Sequence, residues 1–164
     1  MEEDPTIFKQ RYLVVPRTLG FVLDGDEVLL IRRSMQRRIF PGKINGLGGH
    51  VEAGEDVRAA AEREIVEEAG IGVRDLWLAG VVNVDGNLGQ AELLDSGQMP
   101  GVMLFVFTAA ASSRAVKASV EGELLWVPLS EVSHLDWVDG DPRMLLSALE
   151  AREKGRPFFG FKDS

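Results

Sequence analysis

Apolar residues gather in short runs rich in Val, Leu, Ile and Phe at residues 18–23, 27–32, 78–84, 102–109 and 123–127, lengths that suit β-strands. Asp24-Gly25-Asp26, between the first two runs, is a hairpin turn signal, because the tight turn needs a residue that tolerates positive φ. A different pattern runs from residue 56 to 69, which holds no Gly or Pro and is rich in the helix formers Ala, Glu and Arg. Gly70 follows, where a helix C-terminus favours a left-handed residue. On this helix Ala61, Ile65 and Ala69 make an apolar row at i+4 spacing that can dock on a core. A second helix is predicted from 142 to about 154, with Asp141 as N-cap, Pro142 at the first helical position and Gly155 past the end. Residues 158–161 can add a last short strand. Strands that flank one helix and precede another predict a mixed α/β sandwich.

The first helix also carries the candidate chemistry. Glu64, Glu67 and Glu68 stand at i, i+3 and i+4 and share one face. Carboxylates this close repel one another and need a counter-charge. Hard oxygen ligands suit Mg²⁺ or Mn²⁺, and such a site commonly bridges the ion to substrate phosphates. The ordinary meaning of clustered Glu is an exposed acidic helix face. What sets this cluster apart is its surroundings: Gly49, then Glu55, then Arg63-Glu64-Ile65, Glu67-Glu68 and Gly70-Ile71, all at fixed spacing within GGHVEAGEDVRAAAEREIVEEAGI.

Composition narrows the rest. A chain of 164 residues with 45% hydrophobic content suits one globular domain over 1–164, large enough for a proper core. The absence of Cys excludes disulfides, thiolate metal sites and a Cys nucleophile, and fits a cytoplasmic location. The opening MEEDPTIFKQ is acidic where a signal peptide is basic and apolar, and the longest apolar stretch is too short to span a bilayer. A net charge of −8 argues against a nucleic-acid polymer as partner, since duplex binding needs a basic footprint. A small nucleotide is compatible with it, because a bound divalent cation dominates the local field.

With the 49–71 segment complete, the chain resembles the Nudix hydrolases. The resemblance implies an α/β/α sandwich with a mixed central sheet, and hydrolysis of a nucleoside diphosphate linked to a variable group with Mg²⁺ or Mn²⁺. It makes Glu64, Glu67 and Glu68 metal ligands, one of them (Glu68 or Glu64) also the base that activates water. Arg63 and Glu55 become an ion pair that holds the segment in shape, and Gly49 and Gly70 fix the turns at its ends. A fourth carboxylate from a strand beyond the box is implied. Glu121 is the choice and Glu123 the alternative.

Outside the box the chain is similar to the MutT-type oxidised-purine nucleoside triphosphatases, including the 8-oxo-dGTP diphosphatases. The likeness lies in Lys43-Ile44-Asn45-Gly46-Leu47-Gly48-Gly49 and in His134-Leu135-Asp136-Trp137-Val138-Asp139-Gly140-Asp141. It implies that Asn45 and Asp139 hydrogen-bond the base, that Trp137 stacks on it, and that Thr18 lines the same pocket. Gly48, Gly49 and His50 would meet the phosphates, although His50 replaces the usual Lys and Ile44 an aromatic residue. Each has a plainer reading: Trp137 as core, Asn45 as a turn residue, Asp141 as a helix cap. The implied reaction is attack of water on a bridging phosphorus, giving a monophosphate and pyrophosphate.

Alternatives remain. Coenzyme A pyrophosphatases share a partial likeness at Leu29-Leu30, Arg33-Ser34, Arg38 and Gly42, but Gly46-Leu47-Gly48-Gly49 replaces their Phe-Pro-Gly-Gly. For ADP-ribose and dinucleoside-polyphosphate hydrolases the expected Pro and Tyr after the box are missing. A non-catalytic Nudix-fold nucleotide sensor is a reading from another class. Residues 86–101, rich in Gly and acids, are read as a lid, a dimer contact or a long hairpin loop, and the chain as a monomer or homodimer.

Overall fold

The computed structural model describes residues 12–86 and 100–163. The runs of apolar residues form β1 (Val14–Asp24), β2 (Glu27–Arg33), a two-residue β3 (Ile44–Asn45), β4 (Val73–Val84), β5 (Gly101–Ala111), β6 (Gly122–Pro128) and β7 (Phe158–Lys162). Helix α1 (Val57–Ala69) lies between β3 and β4, and α2 (Arg143–Lys154) precedes β7. One mixed sheet orders them β3-β2-β1-β5-β4-β7, with β6 along the other edge of β2. β1–β5 and β4–β7 are parallel; β1–β2, β2–β6 and β4–β5 are antiparallel.

Alternation along the strands divides the core between two helices. Leu19, Phe21, Val28 and Leu30 pack with Leu145, Ala148 and Ala151 of α2, while Val22, Leu29 and Ile31 pack with Ile65 and Ala69 of α1. Ala61 joins Leu76, Phe107 and Ala109 on the α1 side. Burial on both faces explains why these strands read as continuous apolar runs. α1 ends at Gly70 as its sequence predicts, and its start is capped as well. The Asp56 side chain accepts from Ala59 N at its start, and Gly70 takes φ 69° at its end.

β1 and β2 stay paired only near their hairpin, at Val22–Leu29 to Asp24–Glu27. Below that they splay, and residues 44–50 enter the gap as a wedge. β3 pairs with Ile31 and Arg32 of β2. On the other side, Leu47 N donates to Gly20 O (2.9 Å) and Thr18 N to Gly49 O (2.8 Å). Backbone meets backbone so closely that a Cβ on Gly48 would lie 1.9 Å from Thr18 O, and one on Gly46 2.8 Å from Gly20 O. The glycines of this loop are there for close approach, which needs no side chain.

Three expectations shift. β1 begins at Val14 and β4 at Val73, ahead of the predicted 18 and 78, because backbone pairing carries on through polar residues. Asp75, at φ 54°, marks the irregular register in β4 that hides its first half from an apolar pattern. α2 starts at Arg143 with Pro142 as its N-cap, one residue later than expected. Asp141 still satisfies the first turn from outside, accepting from Arg143 N at 2.9 Å. Most of the 86–101 segment, residues 87–99, lies outside the described residues, as does the acidic opening. Among the described residues no helix is long and apolar enough to cross a membrane.

The wedge makes a specific prediction. Gly48→Ala forces a methyl onto the Thr18 carbonyl and lowers stability by roughly 1–3 kcal/mol, about 2–4 °C in Tm per kcal/mol for a domain of this size. Gly72→Ala, where a Cβ meets nothing within 4 Å, leaves Tm close to wild type. Thermal unfolding of the two variants side by side checks this.

Candidate active site

The wedge delivers Gly48 and Gly49 to the N-terminal half of β1, against the inner face of α1. Glu64 stands against Gly49, so closely that a Cβ there would lie 2.5 Å from its carboxyl. Glu68, one turn on, is 5% exposed, and its Oε2 has no hydrogen-bond partner among the described residues. Glu121, just ahead of β6, is held by its own backbone: its carbonyl accepts from Ser34 N at 3.0 Å. The three carboxylates bear on one another. Burial pushes Glu68 up to about 9, Glu121 and Glu64 add to the shift, and a hydrogen bond with the Gly48 backbone partly opposes it. Burial also raises Glu64, with Arg63 acting against it.

Arg63 organises the other side. Its Nε donates to Glu55 Oε1 at 2.8 Å and Oε2 at 3.2 Å, Nη1 to Glu64 at 3.0 Å and to Glu67 at 3.1 Å, and Nη2 to the His50 carbonyl at 3.0 Å. One guanidinium thus links the helix to the loop before it and to the end of the wedge. The Arg63 hydrogen bond in turn holds Glu55 below its ordinary carboxylate value. Glu67 differs from its two neighbours. Its side chain is 57% exposed and turned to Arg63, so it stands at the rim. Glu123 is separate from the cluster, exposed and paired with Arg32 at 3.2 Å.

Among the described residues no three His, Asp or Glu side chains form a ready-made metal cage. The donor set nonetheless fits a hard divalent cation. It consists of carboxylate oxygens, one buried Oε2 lacks a hydrogen-bond partner among the described residues, and burial and neighbouring carboxylates oppose ionisation of Glu68. Glu64, Glu68 and Glu121 can hold such an ion, and Glu67 can reach it by leaving Arg63.

Beside the cluster a cavity of ≈ 250 Å³ opens along the sheet. Its lining includes Arg17, Arg33, Gly48 and His50, together with Leu19, Val84, Val102, Leu104, Asp139 and Lys162; Arg17 and Arg33 also act electrostatically on the carboxylates. Thr18 and Asn45 also line it. Thr18 is buried, with its Oγ1 unpartnered among the described residues. Asn45 Oδ1 accepts from Gly46 N at 2.9 Å, so its carbonyl shapes the turn and its amide nitrogen is the half left for a ligand. Asp139 forms an ion pair with Lys162.

Trp137 needs correction. It is 4% exposed, packs in the α2-side core, and donates from Nε1 to Val132 O at 2.7 Å. It does not line the cavity, so the stacking role that the resemblance implied has no surface to act from. Among the described lining residues the aromatic is Phe40, whose φ of 50° is rare for a non-glycine residue. Phe40, Arg17, Arg33 and Lys162 were all missed as site residues. Their signals were faint: cations inside or at the end of apolar strands, and an aromatic residue before Pro41-Gly42.

Similarity to known proteins agrees with this geometry. Residues 14–148 match the NUDIX domain family model. An oxidized purine nucleoside triphosphate hydrolase of Mus musculus is 32% identical over 124 residues, 74% of this chain and 72% of that protein. A putative 8-oxo-dGTP diphosphatase of Mycobacterium tuberculosis is also 32% identical, over 122 residues that cover 74% of this chain and 79% of that one. Among solved structures, a MutT protein from Bacillus halodurans superposes with a TM-score of 0.69 at 28% identity, covering 92% of this chain and 90% of that chain. The chain belongs to the Nudix family and is a Nudix hydrolase.

Proposed function

We propose that this chain hydrolyses an oxidised purine nucleoside triphosphate, of the 8-oxo-dGTP kind, to the monophosphate and pyrophosphate, and so clears damaged nucleotides from the pool. The observation that carries this reading is the joining of two environments. A buried carboxylate cluster adjoins a part-apolar cavity whose lining includes two arginines, Asn45 and the Asp139–Lys162 pair. Relatives that act on oxidised purine nucleotides support the choice of substrate.

Glu64, Glu68 and Glu121 would hold Mg²⁺ or Mn²⁺, with Glu67 joining from the rim. When bound, the cation neutralises charge on the phosphate oxygens and makes water acidic enough to attack at neutral pH. The chain's own residues do the rest. Arg63 and Glu55 fix the pitch of α1 against the wedge, so that Glu64 and Glu68 keep their place. Gly48 and Gly49 put bare backbone beside the carboxylates, which lets phosphate come close. Glu68 or Glu64 takes the proton from the attacking water. At the far end Asn45, Thr18 and Asp139 meet the base, with Phe40 as the aromatic wall in place of Trp137.

The buried Trp137 also favours a second reading, in which the variable group is not a purine triphosphate but another nucleoside diphosphate derivative such as coenzyme A or ADP-ribose. Comparing kcat/KM for 8-oxo-dGTP, dGTP, coenzyme A and ADP-ribose with Mg²⁺ separates the two. The first reading expects 8-oxo-dGTP to lead dGTP by at least about tenfold, some 1.4 kcal/mol of discrimination, with pyrophosphate released. Equal or negligible rates on both triphosphates overturn it.

Glu68 adds a pH prediction. Its folded-state pKa lies above its ordinary value, so its contribution to stability is full in acid and is lost as the pH rises through about 9. In EDTA, the Tm of wild type therefore falls between about pH 6 and 9 more steeply than that of Glu68→Gln. Mg²⁺ restores wild-type Tm most at the alkaline end and leaves the variant unmoved. The same substitution lowers kcat by roughly 10²–10⁴ with far-ultraviolet circular dichroism unchanged. A variant with wild-type turnover contradicts the assignment.

A further inference from the structure

We infer that β7 is a dimer interface, along which two copies of this chain pair strand to strand about a twofold axis at Gly160. The interface lies apart from the carboxylate cluster and is independent of what the site hydrolyses. β7 is the last strand on its side of the sheet, beyond β4, and its other edge pairs with no strand among the described residues. At five residues it has an ordinary strand length. Its pairing with β4 is parallel, from Gly80–Phe158 to Val84–Lys162, and the Lys162 carbonyl accepts from Asp85 N at 2.9 Å. Lys162 thus turns its peptide groups to β4, as do Gly160 and Phe158 by alternation. The N–H and C=O of Phe159 and Phe161 point the other way, to the open edge.

The side chains of β7 divide in step with the backbone. Phe158 packs on the α2-side core, where a Cβ on Gly80 would collide with its ring. Lys162 lies on that face too, paired with Asp139. Phe159 and Phe161 project from the opposite face and are 81% and 63% exposed. Tyr12 stands beside them, exposed, its hydroxyl donating at 2.8 Å to Asn83 Oδ1, and Asn83 is the β4 neighbour of Phe161. An edge strand left to solvent is ordinarily blunted by a charge or a proline. Here the charged side chain is turned away, and the edge offers bare backbone flanked by phenyl rings.

A second copy of the same strand fits that edge. Two strands related by a twofold axis run antiparallel, each meeting itself. With Gly160 on the axis, Phe159 lies opposite the partner's Phe161, and the reverse pair repeats it. These are the residues whose N–H and C=O face outward, so they exchange the ladder bonds, and their rings meet on one face of the joined sheet. Gly160 then faces its own copy at a non-hydrogen-bonded position, where Cα atoms approach to ~4.5 Å. At about 200 Å² for a whole Phe side chain, the four rings offer roughly 600 Å² between them. With the paired backbones the interface approaches the lower bound of specific ones, about 1,200 Å². The dimer is therefore weak and forms as concentration rises.

Sedimentation velocity of the full chain from ~1 to ~500 μM, the range in which so small an interface associates, tests this. The mass should pass from one chain to two. Phe161→Lys, which places a charge on the open edge, should stay single where wild type is paired, with circular dichroism unchanged. The register has its own test. The chain holds no Cys, and a Cβ at Gly160 meets only the Val82 methyls, at 3.7 and 3.8 Å, so Gly160→Cys is accommodated. Under mild oxidation it should form a disulfide-linked dimer, because the facing Cα atoms lie at disulfide distance. Ser113→Cys, exposed in the loop after β5, should cross-link far more slowly. A wild-type chain that stays single throughout overturns the interface. So does a Phe161→Lys variant that pairs as wild type does, or Gly160→Cys cross-linking no faster than Ser113→Cys. Should Phe161→Lys fail to fold, wild type and Gly160→Cys decide.

Discussion

Negative charge confined between a helix and a strand backbone is the constraint on which this site depends. Glu64 and Glu68 face inward because Ile65 and Ala69, their neighbours on α1, must reach the core. The wedge of residues 44–50 then closes over them with glycines, since no side chain fits between Gly48 and the Thr18 carbonyl. The result is a carboxyl at 5% exposure with an unpartnered oxygen, a costly arrangement unless a cation joins it. Arg63 does not fill that place, because its three nitrogens already serve Glu55, Glu64, Glu67 and the His50 carbonyl. It steadies the frame and leaves Glu68 Oε2 without a hydrogen-bond partner among the described residues.

The same loop that crowds the carboxylates makes room elsewhere. By splitting β1 from β2, the wedge lets Arg17 and Arg33 approach each other and opens the cavity toward β5, β4 and β7. Its lining combines Arg17 and Arg33, which act on the carboxylates, with apolar Leu19, Val84, Val102 and Leu104 and with the Asp139–Lys162 pair. Fold and site are thus one construction, in which the irregular pairing of β1 and β2 is the useful part.

What could be read in advance follows from how local each feature is. The C-terminal end of α1, its apolar row and its acidic face are all properties of adjacent turns, and Ile65 and Gly70 do in the structure what their positions predict, while Asp56 caps the helix rather than opening it. The gathering of Glu121 with Glu68 was legible only through resemblance, because 53 residues of chain separate them and no pattern of spacing spans that distance. Arg17 and Arg33 were hidden for a different reason: each looks like a polar interruption of an apolar strand until the splay of β1 and β2 is known. Trp137 misled because similarity of segment does not fix the direction of a side chain. Its indole turns to Val132 and the α2-side core. Two-residue β3 lacks the length for any periodic signal, yet it holds Trp137 in place through Ile44, whose backbone bonds to Asp136 and Val138 at 2.8 and 2.9 Å.

The most direct measurement is calorimetric titration of the protein with Mg²⁺ near neutral pH, in buffers of different ionisation enthalpy, to count protons released on binding. With Glu68 held protonated by its surroundings until the cation arrives, wild type releases about one proton per ion bound, and Glu68→Gln releases none. Saturable binding with no proton release, or release that persists in Glu68→Gln, would contradict a cation site built around that buried carboxyl.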